Sequence, residues 1–197
     1  MTYAEPLPVI TAFAASPDRG RGLARDMRVR WGMAELGMAY DVALLSFAEM
    51  KQAGHLARNP FGQIPTYEAG DLVLFETGAI LMHVARVAAE RGNTALLPAD
   101  PDGRDRVAAW MFAALNTVEP PILERSAAFI AERDKPWYAD RLPLLDERIN
   151  VRLAQLSEAL GEREWLTGVF SAADILMVHA VRRVEATGLL DPFPVIR

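Results

Sequence analysis

From Asn59 to Ile80 the chain reads NPFGQIPTYEAGDLVLFETGAI, and the residue types able to bind a peptide-like anion follow one another in it. Gln63 offers an amide, Ile64-Pro65 an extended X-Pro backbone, and Glu76-Thr77 a carboxylate and a hydroxyl where a helix is predicted to start. Proline cannot donate a ladder hydrogen bond, so Pro65 belongs at a strand start or tight turn, and a cis Ile64-Pro65 bond is expected where the backbone shapes a site. Thr77 falls where backbone N–H groups are unpaired and the helix dipole favours anions, which suits a carboxylate ligand. Taken singly, each residue has a plainer reading. Pro65 is then a turn proline, Thr77 a helix cap, Glu76 a complement to the dipole and Gln63 a solvated loop residue. Their order along one short stretch favours the pocket.

These residues need elements to hold them. Thr66-Tyr67-Glu68 and Leu72 to Phe75 flank Ala69-Gly70-Asp71, which predicts two short antiparallel strands joined by a Gly-containing turn. Ala79 to Arg91 is an amphipathic helical run. Upstream, Val9 to Ala14 reads as a first strand, and the loop Ser16 to Gly22 leads to a helix over Leu23 to Leu36 closed by Gly37. Tyr40 to Ser46 is a second strand, and Ala48 to Arg58 a short helix that stops before Asn59-Pro60. The order is therefore βαβαββα, a thioredoxin-like α/β domain over residues 8–91 with one parallel pair and one antiparallel hairpin. Residues 92–103, rich in Pro, Asp and Gly, read as a linker. Residues 104–197 read as all helix: Arg104 to Asn116 and Val118 to Arg133 with a kink at Pro120-Pro121, then Asp140 to Leu160. A capping box of Ser171 and Asp174 opens a further helix.

Here the residues carry a resemblance. The segment Gly62-Gln63-Ile64-Pro65, the hairpin and the Glu76-Thr77 pair resemble the glutathione-binding half of the cytosolic glutathione transferase superfamily. The resemblance implies that Ile64 pairs its backbone with the cysteinyl part of glutathione beside a cis Pro65. It implies that Glu76 and Thr77 hold the γ-glutamyl group and that Gln63 reaches toward the glycyl end. Ser171 and Asp174 match the motif that opens the buried core helix of the family's helical domain, a structural role. The family is typically a twofold homodimer, and some members carry a catalytic cysteine. This chain has no cysteine. It cannot form mixed disulfides, so any glutathione reaction must use the thiol of glutathione itself, activated by a hydroxyl, an amide N–H or a cation.

The family's thiol-activating residue lies at the start of the first helix. That position falls near Gly22 or Leu23, neither of which has a donor side chain, so Ser16 is the nearest hydroxyl and the catalytic candidate. Arg19, Arg21 or Arg25 would add positive charge. The plainer alternative makes Ser16 a turn residue before Pro17. By resemblance the second substrate binds between the domains, which makes Trp110, Met111 and Leu115 candidates for its walls, although such spacing also describes ordinary helix core. The resemblance further implies helices beyond Val195-Ile196-Arg197, so a short helical domain is expected here.

With 197 residues, 51% of them hydrophobic, the chain can bury one or two cores, and a net charge of −5 argues against a nucleic-acid partner. No stretch reaches the roughly 18 uninterrupted apolar residues of a membrane span, and no leader-like h-region is present, so a cytoplasmic location is expected. His55, His83 and His179 lack metal-ligand spacing, and no metal is assigned. The leading expectation is an enzyme with glutathione as co-substrate, conjugating it to small hydrophobic electrophiles or reducing peroxides with it. The alternatives are a non-catalytic binding or regulatory module of the same fold, and a purely structural dimerisation module.

Overall fold

The structure, a computed structural model, describes residues 6–196. The chain divides between Asp100 and Pro101 into two units.

In the first unit, β1 (Val9–Phe13) is followed by α1 (Asp26–Glu35) and β2 (Asp41–Leu45). A 3-10 turn (Glu49–Lys51) and the short α2 (Ala53–Leu56) lead to β3 (Thr66–Ala69), β4 (Leu72–Phe75) and α3 (Thr77–Glu90). The sheet runs β2-β1-β3-β4; β1 and β2 are parallel, and the other two pairs antiparallel. This is the thioredoxin-like arrangement predicted by the βαβαββα order.

The core of this unit forms where α1 meets α3. Gly32 makes the approach possible, because a Cβ there would lie 2.2 Å from Leu81 Cδ1. Val29, Met33, Ile80, Leu81 and Val84 are all sealed from solvent, each at helical spacing on the face turned inward.

Two local departures from expectation have physical causes. The α1 helix starts at Asp26 rather than Leu23, because the N–H groups of Leu23 and Ala24 are drawn to the Asp18 carboxylate at 2.5 and 3.1 Å. The predicted single helix over Ala48 to Arg58 is split by Gln52, whose backbone is extended (ψ 156°). Its first part is fixed by a local box: the Ser46 hydroxyl and N–H donate to Glu49 Oε2 at 2.6 and 2.8 Å, and the Glu49 N–H donates back to Ser46 Oγ at 3.3 Å.

The second unit is helical: α4 (Pro101–Ala113), a π-helical turn (Ala114–Val118), α5 (Glu119–Glu132), α6 (Tyr138–Leu160) and α7 (Ala172–Val181), then two 3-10 turns, Arg182–Thr187 and Pro194–Ile196. Helix α4 takes in Pro101, Asp102 and Gly103 from the predicted linker. A proline at the first helical position loses no bond and an acid in the first turn suits the dipole, so the residues that look like breakers start the helix. The expected kink at Pro120-Pro121 takes the form of the π turn just before it. Neither proline has the N–H that would close an α-helical bond on the carbonyls of Asn116 and Thr117, and the helix widens there.

Helix α7 is apolar nearly all round, with Ala172, Ala173, Ile175, Leu176 and Ala180 sealed from solvent, as befits the central helix of a bundle. Its N-terminus carries the predicted box. The Ser171 N–H and hydroxyl donate to Asp174 Oδ2 at 2.9 and 2.8 Å, and Asp174 Oδ1 accepts the Leu166 N–H at 2.9 Å, tying the preceding loop to the helix. No helix among the described residues is long and apolar enough to cross a membrane.

Candidate functional site

The register of the sheet gathers the sequence-predicted residues at one end. Thr66 pairs with Phe75 across the hairpin, so the next residues outward, Pro65 and Glu76, leave it side by side. Ile10 pairs with Tyr67 and Val9 with Glu68, so β1 runs antiparallel to β3 and ends at the end of the sheet where β3 begins. The loop carrying Ser16 therefore leaves the same end of the sheet as Ile64-Pro65 and Glu76-Thr77.

The Ile64-Pro65 bond is cis, as expected. Thr11, buried on β1, secures the strand that follows: the Thr66 N–H donates to Thr11 Oγ1 at 2.6 Å. The loop before it is held from behind. His55 Nε2 and Asn59 Nδ2 both donate to the Gln63 carbonyl, at 2.8 and 2.9 Å, and Lys51 Nζ donates to the Gly62 carbonyl at 2.9 Å. Gly62 has φ +58°, and a Cβ on it would stand 2.9 Å from Met50 O and 3.0 Å from Lys51 Nζ, so only glycine fits. The Gln63 side chain is exposed, with its Oε1 3.5 Å from Arg25 Nη1.

At the start of α3, Glu76 adopts φ 70°, ψ 120° and its side chain is exposed. A non-glycine residue at positive φ is costly and concentrates at ligand sites. No side chain caps α3, and its first intrahelical bond runs from the Ile80 N–H to the Glu76 carbonyl. The N–H groups of the first turn thus remain at the positive end of a 14-residue helix. Thr77 is buried, with Arg28 Nη1 3.5 Å from its Oγ1. Sequence reasoning passed over Arg28, the largest fully buried side chain, because arginine on a helix is ordinarily solvated. Its signal is a cation on the face that otherwise carries Val29, Gly32 and Met33.

Ser16 has a partner of its own. Its hydroxyl donates to Asp18 Oδ1 at 2.6 Å, and the same carboxylate accepts the N–H groups of Gly20, Leu23 and Ala24. Burial alone would raise the Asp18 carboxyl, but these donors outweigh it and lower it from 3.8 to about 2. The Asp18 carboxylate thus stays charged at the approach to α1.

Of the residues predicted to line a second-substrate pocket, Trp110 and Met111 lie on α4 and Leu115 in the π turn, all in the helical unit. Met111 is buried in that unit, while Trp110 and Leu115 are half-buried. No group of three His, Asp or Glu side chains among the described residues could hold a metal ion.

Residues 19–86 match the family described as "Glutathione S-transferase, N-terminal domain". Glutathione S-transferase 1 of Zea mays is 44% identical over 183 residues, covering 86% of this chain and 82% of that protein. A shorter match, to glutathione S-transferase PARB of Nicotiana tabacum, is 36% identical over 97 residues and covers 48% of this chain and 45% of that protein. Among solved structures, a glutathione transferase family member from Pseudomonas fluorescens with two glutathione bound superimposes with a TM-score of 0.82. It is 22% identical and covers 96% of this chain and 85% of its own. The site at the end of the sheet, the thioredoxin-like fold around it and these likenesses agree: the chain belongs to the glutathione S-transferase family.

Proposed function

We propose that this transferase binds glutathione at the end of the sheet defined by Gln63, Ile64, Pro65, Glu76 and Thr77, and delivers its thiolate to a second substrate. The observation that carries the reading is the pairing of an uncapped helix N-terminus at Thr77 with the Ile64-Pro65 backbone at the adjacent end of the hairpin. The γ-glutamyl carboxylate suits the first-turn N–H groups of α3, and the Ile64 backbone suits the cysteinyl peptide group. Gln63 stands toward the glycyl end, where Lys51 and Arg25 supply positive charge.

Binding fixes the sulfur, and stabilising its thiolate makes it a nucleophile. The sulfur then bonds to the electrophilic carbon of a small apolar substrate while the leaving group departs with its electron pair. With a peroxide instead, two glutathione molecules are oxidised to the disulfide as the O–O bond is cleaved. In this reading Ser16 is the hydroxyl that steadies the thiolate, which requires it to turn away from Asp18, and Trp110, Met111 and Leu115 contribute apolar walls to the second-substrate pocket. The protein acts as a cytoplasmic homodimer with glutathione as co-substrate.

One observation favours a second reading, a non-catalytic module that binds glutathione without turnover: the Ser16 proton is already donated to Asp18. Calorimetric titration with glutathione, and in parallel with S-methylglutathione, tests both. Saturable binding near one site per chain, followed by turnover on an electrophile and peroxide panel, supports the transferase. Binding without turnover supports the module, and no binding to folded protein removes the site.

A further inference from the structure

The Gln63 carbonyl is held by two buried side chains. His55 Nε2 lies 2.8 Å from it and Asn59 Nδ2 2.9 Å, and the two residues are 5% and 4% exposed. A carbonyl oxygen has two lone pairs, and both are filled. The Asn59 amide has one orientation that serves this arrangement, since its Oδ1 accepts the Phe61 N–H at 3.0 Å and leaves Nδ2 to donate. A carbonyl only accepts, so His55 carries its proton on Nε2. Its Nδ1 is buried with no hydrogen-bond partner, a cost that a leucine of similar volume would avoid. The polar contact made by that imidazole is the bond to Gln63.

We propose that His55 and Asn59 are positioning residues for glutathione, acting through the Gln63–Ile64 peptide to present the Ile64 N–H to the ligand. In a trans peptide the C=O and N–H point in opposite directions, and the one cis bond among the described residues is the next one, Ile64-Pro65. Fixing the Gln63 carbonyl toward α2 therefore turns the Ile64 N–H away from α2. No backbone carbonyl is bonded to that N–H among the described residues. Lys51, bonded to the Gly62 carbonyl, braces the preceding peptide. The inference rests on the binding reading above, which sets the cysteinyl backbone against Ile64.

The test compares His55→Leu, which removes the donor at similar volume, with His55→Gln, whose amide nitrogen reaches about as far as Nε2. Glutathione affinity by calorimetry should fall about tenfold in His55→Leu and return to within about threefold of wild type in His55→Gln. The turnover number at saturating glutathione should stay within about twofold of wild type in both, because a positioning loss appears in binding. Asn59→Asp keeps the acceptor for Phe61 and removes the donor; it should weaken glutathione similarly and serves where His55→Leu does not fold. Nitrogen NMR of the ligand-free wild type should show the Nε2–H tautomer of His55. Unchanged affinity in a folded His55→Leu or Asn59→Asp protein, or the opposite tautomer, overturns the clamp while the binding site stands. Failure of the wild type itself to bind glutathione overturns the site, and the clamp's role with it.

Discussion

The hydroxyl of Ser16 donates its proton to Asp18 at 2.6 Å, so the last hydroxyl before the first helix along the chain is bonded to a carboxylate within its own loop. Ser16→Ala removes one of the donors that lower the Asp18 carboxyl, and acid unfolding of this variant should begin at higher pH than in the wild type. The catalytic role proposed for Ser16 requires more: turnover should fall about tenfold with glutathione affinity kept, a loss confined to the transition state. A variant with full turnover and an altered acid limb makes Ser16 a brace for Asp18.

Asp18 itself sets a pH window. Its folded-state value of about 2 lies below the ordinary 3.8, so the folded protein binds this proton more weakly than the unfolded chain does. The contribution is complete above the ordinary value and is lost as pH falls through about 2. Asp18→Asn should cost about 1 kcal/mol at neutral pH, less than the full shift implies because the loop is partly open to water. The difference between variant and wild type in denaturant unfolding should shrink toward zero as pH approaches 2.

Thr77 joins the start of α3 to the buried Arg28 at 3.5 Å. Replacing it by alanine removes the hydroxyl from the proposed γ-glutamyl site and takes one partner from a buried cation. Glutathione affinity measured by calorimetry should drop about tenfold, the scale of one hydrogen bond to a charged group. Unchanged affinity would dissociate the α3 terminus from the ligand.

The architecture of the segment proposed to bind glutathione was legible because its signals are local: a proline fixes its own φ, the strands of the hairpin are joined through Gly70, and Glu76-Thr77 abuts an amphipathic run. The element order followed for the same reason. What the sequence hid were interactions made by side chains across a loop. Nothing in the sequence of the Ser16 to Gly22 loop marks Asp18, yet it gathers the N–H groups of Leu23 and Ala24 and delays α1. His55 reads as an isolated histidine, and its bond to Gln63 spans a helix end and a loop. Pro101 reads as linker because a proline that breaks a helix and one that begins it look alike until the first turn is seen.

Gly62 has a more demanding environment than its flanking residues. With φ +58° and Met50 O only 2.9 Å from the place a Cβ would occupy, Gly62→Ala must strain the backbone or move the loop. A cost of about 1–2 kcal/mol is expected from the left-handed conformation alone. Because Gly62 immediately precedes Gln63, glutathione affinity should fall together with the thermal midpoint. A loss of stability with affinity intact would show that the loop can shift without disturbing Ile64.

Asp174 holds the helical unit, not the unit that carries the proposed glutathione site. It is buried, with one oxygen accepting the Leu166 N–H and the other the N–H and hydroxyl of Ser171, so alanine there strands two backbone donors inside the unit. Ser171→Ala removes only the hydroxyl's side of the box and should cost about 1 kcal/mol. Asp174→Ala should cost about 3 kcal/mol, because unsatisfied buried donors carry their full desolvation penalty. At roughly 2–4 °C per kcal/mol for a chain of this size, the thermal midpoint of Asp174→Ala should fall by about 6–12 °C. Asn in place of Asp174 keeps one acceptor and should fall between the two. Glutathione affinity in the folded fraction should be unchanged in all three, since no residue of the box lies on the thioredoxin-like unit; a matching loss of affinity would show that the two units depend on each other for binding.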